Sequence, residues 1–156
     1  MIRIFAMLLF SSVVAGCSNL PLLGDENVES RQVIELIGYA QKVAAMPAEE
    51  QQRELGATNQ VLLKNRGNFW RVKLAVLLSL PGTGFNDDAK AASLLEPLAG
   101  ASGSPPGPMR QFAGLLHAQI NDRLREQRRS AQLKDQLDAL KAIERTLIER
   151  EQGRPK

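Results

Sequence analysis

The sequence predicts an all-α protein: a small helical-hairpin domain followed by a long C-terminal, partly coiled-coil-like helix. Three observations predict it. Apolar residues recur at spacings of three and four along most of the chain, the period of an amphipathic helix. Leu and Ala dominate while aromatic residues make up only 4%, which suits packed helices better than sheets. Breaks containing Pro or Gly at 46–47, 67, 81–84 and 101–108 divide the periodic stretches from one another.

The first element is not part of the domain. Arg3 and the free amino terminus precede an apolar run from Ile4 to Ala15, interrupted only by Ser11 and Ser12. About 12 residues is too short for a relaxed helix to cross a bilayer core of ~30 Å. A short apolar run behind a positive start reads as an export signal. The run ends in Val14-Ala15-Gly16-Cys17, which resembles the bacterial lipobox. Ala15 and Gly16 are small enough for a protease to approach the backbone, and Cys17 offers a thiolate nucleophile for a thioether. Cys17 is also the single cysteine of the chain, so it has no disulfide partner within it. The resemblance implies residues 1–16 as signal peptide, cleavage between Gly16 and Cys17, and covalent diacylglyceryl and N-acyl groups on Cys17. Two or more acyl chains are what stable anchoring needs. An uncleaved anchor and an ordinary secretory signal are the alternatives. Ser18, where an Asp would favour retention at the inner membrane, points to an outer-membrane location facing the periplasm.

Residues 17–28 read as a lipidated tether, with Pro21 and Gly24 inside it. The helical-hairpin domain then occupies 29–100. Its first helix is expected from about Glu29 to Ala45, with Val33, Leu36, Ile37, Ala40, Val43 and Ala44 at helical spacing. Pro47 disfavours the α conformation at Met46 and suits the first position of a second helix, whose early Glu49 and Glu50 complement the helix dipole. That helix is expected to reach Asn65, with Leu55, Leu62 and Leu63 as core candidates. A third, Phe69 to Leu80, contains Leu74, Ala75, Val76, Leu77 and Leu78 and is expected to be the most buried segment. Trp70 reads as a core or edge residue, with ligand stacking as the alternative. After the loop Pro81-Gly82-Thr83-Gly84, the residues Asn86, Asp87 and Asp88 can cap a fourth helix running to about Ala99 with Leu94, Leu95 and Leu98 apolar. Pro97 predicts a kink or early termination there. Short loops place these helices as antiparallel hairpins. The layout is similar to tetratricopeptide arrays, without their consensus residues or 34-residue period.

Residues 101–108, ASGSPPGP, read as a Pro/Gly linker. A long amphipathic helix is expected over 109–151, and residues 152–156 as a disordered tail. From Phe112 through Leu115, Leu116, Ile120 and Leu124 the apolar stripe is one-sided, as for a helix docked on the domain. Residues 125–130, REQRRS, are polar all round and expected to be solvated. Leu133, Leu137, Leu140 and Leu147 then follow at heptad-like spacing, with Glu144 in place of an apolar residue. Ile143 and Ile148 widen the stripe. Two heptads are fewer than a coiled coil ordinarily needs. Both a projecting interaction helix and one folded back on the domain fit the pattern.

No catalytic constellation emerges, and the chain does not read as an enzyme. The lone His117 lies beside Leu115 and Leu116 and reads as a packed or surface histidine. Clustered His and Cys metal ligands are absent, no nucleophile-elbow motif marks a serine, and 81–84 lacks the lysine and spacing of a phosphate loop. Beyond the acyl groups no cofactor is implied. Without Arg3 the 20 basic residues fall to 19 against 17 acidic, a net charge of about +2, too small to argue for nucleic acid. The basic residues Arg123, Arg125, Arg128 and Arg129 alternate with Asp122 and Glu126. They read as a solvated face, the alternative being a site for an acidic protein patch or lipid headgroups.

The tail Leu140-Lys141-Ala142-Ile143-Glu144-Arg145-Thr146-Leu147-Ile148-Glu149-Arg150 resembles the L-x-x-I-E-R-x-L-x-x-R ending of the QseG/YfhG-type outer-membrane lipoproteins. Their layout is similar too: a lipobox, a small helical domain, then a long charged helix. The resemblance implies association with the QseE/QseF (GlrK/GlrR) two-component system, with the lipoprotein stimulating the periplasmic domain of the sensor histidine kinase. Leu133, Leu137, Leu140, Ile143, Leu147 and Ile148 would then form the partner-binding stripe. The competing expectation is a structural or assembly scaffold of the cell envelope.

Overall fold

The structure is a computed structural model, and it describes residues 24–100 and 106–152. The described chain is all-helical, with no strand: α1 (Gly24–Ala44), α2 (Ala48–Lys64), α3 (Asn68–Leu78), α4 (Asp88–Ala99) and α5 (Pro108–Gln152). The signal segment 1–16, Cys17 and the tail from 153 lie outside the described residues.

Several expected boundaries move: α3 ends at Leu78 rather than Leu80, α5 runs on through Gln152 instead of leaving it to the tail, and two starts shift as well. The helix expected from Glu29 begins at Gly24, so the last five residues assigned to the tether are helical. Once a nucleus exists, each added helical residue costs little, and the apolar periodicity that marks the helix begins only at Val33. Pro108 is the first residue of α5 rather than the end of a linker. Its ring presets the helical φ, and the N–H it lacks would have had no helical partner there. Of the expected linker, residues 101–105 lie outside the described residues.

Caps fix the remaining ends. Pro47 stands at the N-cap of α2 rather than inside it. Gln51 turns back from α2, its Nε2 donating to the Val43 carbonyl at the end of α1, 3.0 Å away. Of the three candidate caps for α4, Asp87 takes the role, accepting from the Lys90 N–H at 2.8 Å. Asn86 instead donates to the Leu78 and Leu80 carbonyls, closing the C-terminal end of α3. Gly82, with φ +80°, turns the loop through left-handed space that a side chain would disfavour. Pro97 neither kinks α4 out of helix nor ends it at once: two more residues follow before the end at Ala99.

The core forms around α3, whose Val72, Leu74, Ala75, Val76, Leu77 and Leu78 are all buried, as its composition predicts. Leu36 of α1, Leu95 and Leu98 of α4 and Ile120 of α5 meet it. The largest helix interface joins α4 to α5, where Ala91, Ala92 and Ala113 are buried small residues that let two backbones approach closely. Sequence-adjacent helices pack in succession, and α1 also returns to α5 and α3, more extensively than to α2. The first helix therefore closes the bundle over the last, which an open array of hairpins does not do.

Several expected core positions fall elsewhere. Leu55 and Leu62 are half-buried against the core, but Leu63 is 80% exposed, and Thr58 is the buried residue of α2. Ile37 and Ala44 of α1 and Leu115 of α5 are also exposed. Each sits at the edge of an apolar arc wider than the contact made by its helix. Phe112, Leu116 and Leu124 are half-buried and Ile120 is buried, as expected for a docked stretch.

Candidate interaction surface

The docked part of α5 is held at three points. At its start, the Glu29 carboxylate of α1 accepts the Met109 N–H at 3.3 Å. This satisfies one of the first-turn donors and sets a negative charge at the positive end of the helix dipole. Gly107 makes the approach possible, because a Cβ there would collide with that carboxylate. Along the middle, Met109, Ala113 and Ile120 are buried.

At its exit, Arg123 grips Asp88. Nη2 donates to Oδ1 at 2.6 Å and Nε to Oδ2 at 3.1 Å. The same Nη2 reaches the Ser79 carbonyl at 3.3 Å. Asp88 is a buried carboxylate, and its hydrogen bonds hold the guanidinium pKa above its usual value against the opposing effect of burial. One side chain thus ties α5 to the end of α3 and the start of α4. Arg123 is therefore not part of the solvated basic face expected for it: the fold places it against the first turn of α4.

Past this clamp, every residue from Arg125 to Arg150 is exposed. The helix is continuous for 45 residues, ~67 Å at 1.5 Å per residue, and its distal half projects from the bundle. Ion pairs line this rod: Asp122 with Arg125, Glu126 with Arg129 at 3.0 Å, and Asp138 with Lys141 at 4.0 Å. In each the acid precedes the base by one turn, the order that suits the helix dipole, worth about 0.2–0.5 kcal/mol per pair in isolated helices.

The six predicted stripe residues come together on this rod. Leu133, Leu137, Leu140, Ile143, Leu147 and Ile148 are each between 45% and 63% exposed. At ~100° per residue, Leu133, Leu140 and Leu147 fall within about 40° of one another around the axis, with Leu137 and Ile148 on one flank and Ile143 on the other. Glu144 lies on the same face, between Leu133 and Leu137. A row of exposed aliphatic side chains, broken here by Glu144 alone, is the kind of patch that marks contact sites. Cys17 and Gly16 lie outside the described residues.

Sequence reasoning missed two features. A polar joint ties α1, α2 and α3 together. The Tyr39 hydroxyl donates to Glu54 Oε1 at 2.7 Å and lies 3.3 Å from Thr58 Oγ1, while Lys73 Nζ stands 3.9 Å from the centre of the Tyr39 ring. Burial, more than the neighbouring Glu54 carboxylate, pushes the phenol well above its ordinary range, with the Thr58 contact opposing. Tyr39 is the single tyrosine of the chain. A raised pKa means that the folded state favours the neutral phenol, so this contribution to stability is intact below pH ~10 and declines above it. In an alkaline titration followed at the tyrosinate absorbance, ionisation is expected to be delayed beyond pH 10 and to coincide with loss of helicity. Ionisation near pH 10 with helicity retained would contradict this.

The second missed feature is a groove of about 360 Å³ between α1 and α5, lined by Val33, Ile34, Phe112 and Leu115 among others. Ile34 and Leu115 are strongly exposed. No sequence signal distinguishes such residues from core, because apolar character is the same in both.

Other candidates resolve locally. Trp70 is an edge residue: half-buried, edge-on to Phe69 with ring centres 5.2 Å apart, beside an open depression of about 670 Å³ formed by Gln32 and residues 64–70. His117 is half-buried and lies 3.2 Å from the Asn121 amide through Nε2. Among the described residues no cluster of His, Cys, Asp and Glu could hold a metal ion, and no helix is long and apolar enough to cross a membrane. Comparison of the chain with protein-family models, with curated proteins and with solved structures finds no match to any of them.

Proposed function

We propose that this protein is a membrane-anchored periplasmic lipoprotein that acts as a protein-interaction module, regulating the sensor histidine kinase of a two-component system. The observation that carries the reading is the bare distal half of α5: six large aliphatic side chains exposed along one helix that has left its own domain behind. A helix uses its apolar face to bury it, and this one has no cover within the described chain. In this reading Cys17 carries the acyl groups, and Ser18 directs the protein to the outer membrane. The bundle then serves as a mount. Glu29 and Arg123 fix the base of α5, so the stripe is held on the bundle rather than left on a loose tail. The partner contact needs only helix-in-groove burial, and the resemblance of residues 140–150 to the lipoprotein ending described above favours the kinase sensor domain as the partner.

Truncation after Ser130 tests the reading in cells. Palmitate labelling and membrane fractionation should be unchanged in the truncated protein, whereas Cys17→Ser should lose both. Stimulation of kinase autophosphorylation should fall to the basal level in the truncated protein, and a photo-crosslinker at Leu140 should capture the kinase in the full chain. Full stimulation by the truncated protein would sink the regulatory reading. Capture of an envelope-assembly protein instead would favour the scaffold.

A further inference from the structure

The stripe of α5 has a charge pattern as well as an apolar one, and the pattern discriminates between occupants. Between residues 131 and 150 there are four basic and four acidic residues. This zero net charge gives the segment no general attraction to an anionic lipid surface, where a basic polar face is expected. A protein helix is the better fit.

Pairing with a second copy in parallel is penalised at two places. Glu144 lies in the seam and would face Glu144 of the second copy. Arg129 flanks one side of the seam and Lys134 the other, five residues on, so in parallel pairing each Arg129 would lie beside Lys134 of the other copy. Flanking charges of this kind decide the partner and orientation of paired helices. Antiparallel pairing removes both conflicts. With the two copies related by a two-fold axis near Ile143, Leu137 meets Leu147 of the second copy, Leu140 meets Glu144, and the two Ile143 side chains face one another. Each Glu144 then lies beside Lys141 of the other copy. The acid that spoils a parallel seam becomes half of a reciprocal ion pair in an antiparallel one.

The area is also sufficient. In this register Leu133 falls opposite Glu151, and the other five aliphatic side chains, about half exposed, amount to roughly 500 Å² per copy, which for two copies reaches the ~1,000 Å² that a specific interface must clear. The overlap runs over about 15 residues, ~22 Å, all within the fully exposed part of α5. The bundles would lie at opposite ends of the pair and not collide.

We propose that the Leu133–Ile148 stripe is a self-association surface, on which two copies of the protein pair antiparallel about Ile143 with Glu144 and Lys141 matched across the interface. The proposal rests on the reading of this stripe as a docking surface and specifies its occupant. Self-pairing would then compete with any other helix for the same residues, so the pair would be a resting form that a partner must open.

The full chain carrying Cys17→Ser has no other thiol, so one introduced cysteine reports register. Ile143→Cys should give a covalent dimer with a short bis-maleimide. Leu147→Cys should give at least about tenfold less, because residue 147 sits opposite residue 137 and ~15 Å along the axis from its own counterpart. A mixture of Leu137→Cys and Leu147→Cys chains should cross-link to each other. Glu144→Lys should abolish the dimer seen by sedimentation, and Lys141→Glu combined with Glu144→Lys should restore it. All these positions are exposed, so helicity should be unchanged and serves as the control. Equal yields at Ile143→Cys and Leu147→Cys would indicate parallel pairing and overturn the proposal. A chain that remains monomeric and uncross-linked would overturn it as well. If truncation after Ser130 still abolished kinase stimulation in that case, the functional reading would stand with a different occupant; if truncation had no effect, both would fall.

Discussion

Arg123→Ala is expected to lower the unfolding free energy by about 2–3 kcal/mol, and the Tm by roughly 10 °C. Asp88 is buried with a side chain only 5% exposed, and Arg123 supplies both of its ionic hydrogen bonds. Removing the guanidinium leaves a carboxylate in an apolar setting without its counter-charge, the costly half of breaking any buried pair. The guanidinium itself is 41% exposed, so water can reach the vacated side, which keeps the loss below that of a fully enclosed pair. Arg123→Lys should recover less than half, because one ammonium cannot donate along two directions to both carboxylate oxygens while also reaching the Ser79 carbonyl. Asp88→Asn should cost less than Arg123→Ala, since it removes the buried charge along with the pair. Denaturant unfolding of the three variants checks the order. If Arg123→Ala matched the parent protein, the clamp would be ornamental and the mounting of α5 would rest on apolar contact alone.

Leu95→Ala should destabilise the bundle by about 3 kcal/mol, within the range for a fully enclosed leucine. Leu95 has no solvent exposure and belongs to the core cluster formed where α4 meets its neighbours. Its surroundings include Ala91, Ala92 and Ala113, which are too small to relax into the space left behind. Leu63→Ala is the matched control. Leu63 is 80% exposed, and its truncation should shift stability by no more than about 0.5 kcal/mol. Both leucines look like core from their spacing, so equal costs would contradict the packing described for α2. The six stripe residues fall with Leu63 here: alanine at any of them should leave the Tm of the bundle unchanged while weakening whatever the stripe binds.

The sequence reads well wherever local physics decides. Helix α3 is apolar on nearly every side, and only the centre of a bundle can accommodate that. Asp87 precedes the periodic run of α4 and has the side chain an N-cap requires. Leu133 to Ile148 follow a period that no strand would show, and their spacing alone marks them as one stripe. Single positions were less legible. Leu63, Ile37 and Leu115 carry the same apolar signal as Leu62, Leu36 and Leu116. Which of each pair turns toward the core depends on how wide a contact the neighbouring helix makes, and spacing does not encode that width. Arg123 is the sharpest case. Within its own segment it is one arginine among four, alternating with acids. Its partner Asp88 lies 35 positions away and looks like a spare cap.

By itself, then, the chain determined that the protein is built of helices, where most of them stop, and that its last helix carries an apolar face at the far end from Cys17. Those properties follow from propensity, capping and periodicity, all of which act within a few residues. Tertiary structure decided the rest. It closed α1 over α5 through Glu29 and Gly107, 78 residues apart in number but in contact. It turned one member of a basic cluster into the clamp that fixes where the last helix leaves the bundle. It also settled that this helix projects instead of folding back. The clamp of Arg123 on Asp88 and the Ser79 carbonyl fixes the direction in which α5 leaves the bundle, and every residue from Arg125 to Arg150 is exposed beyond it.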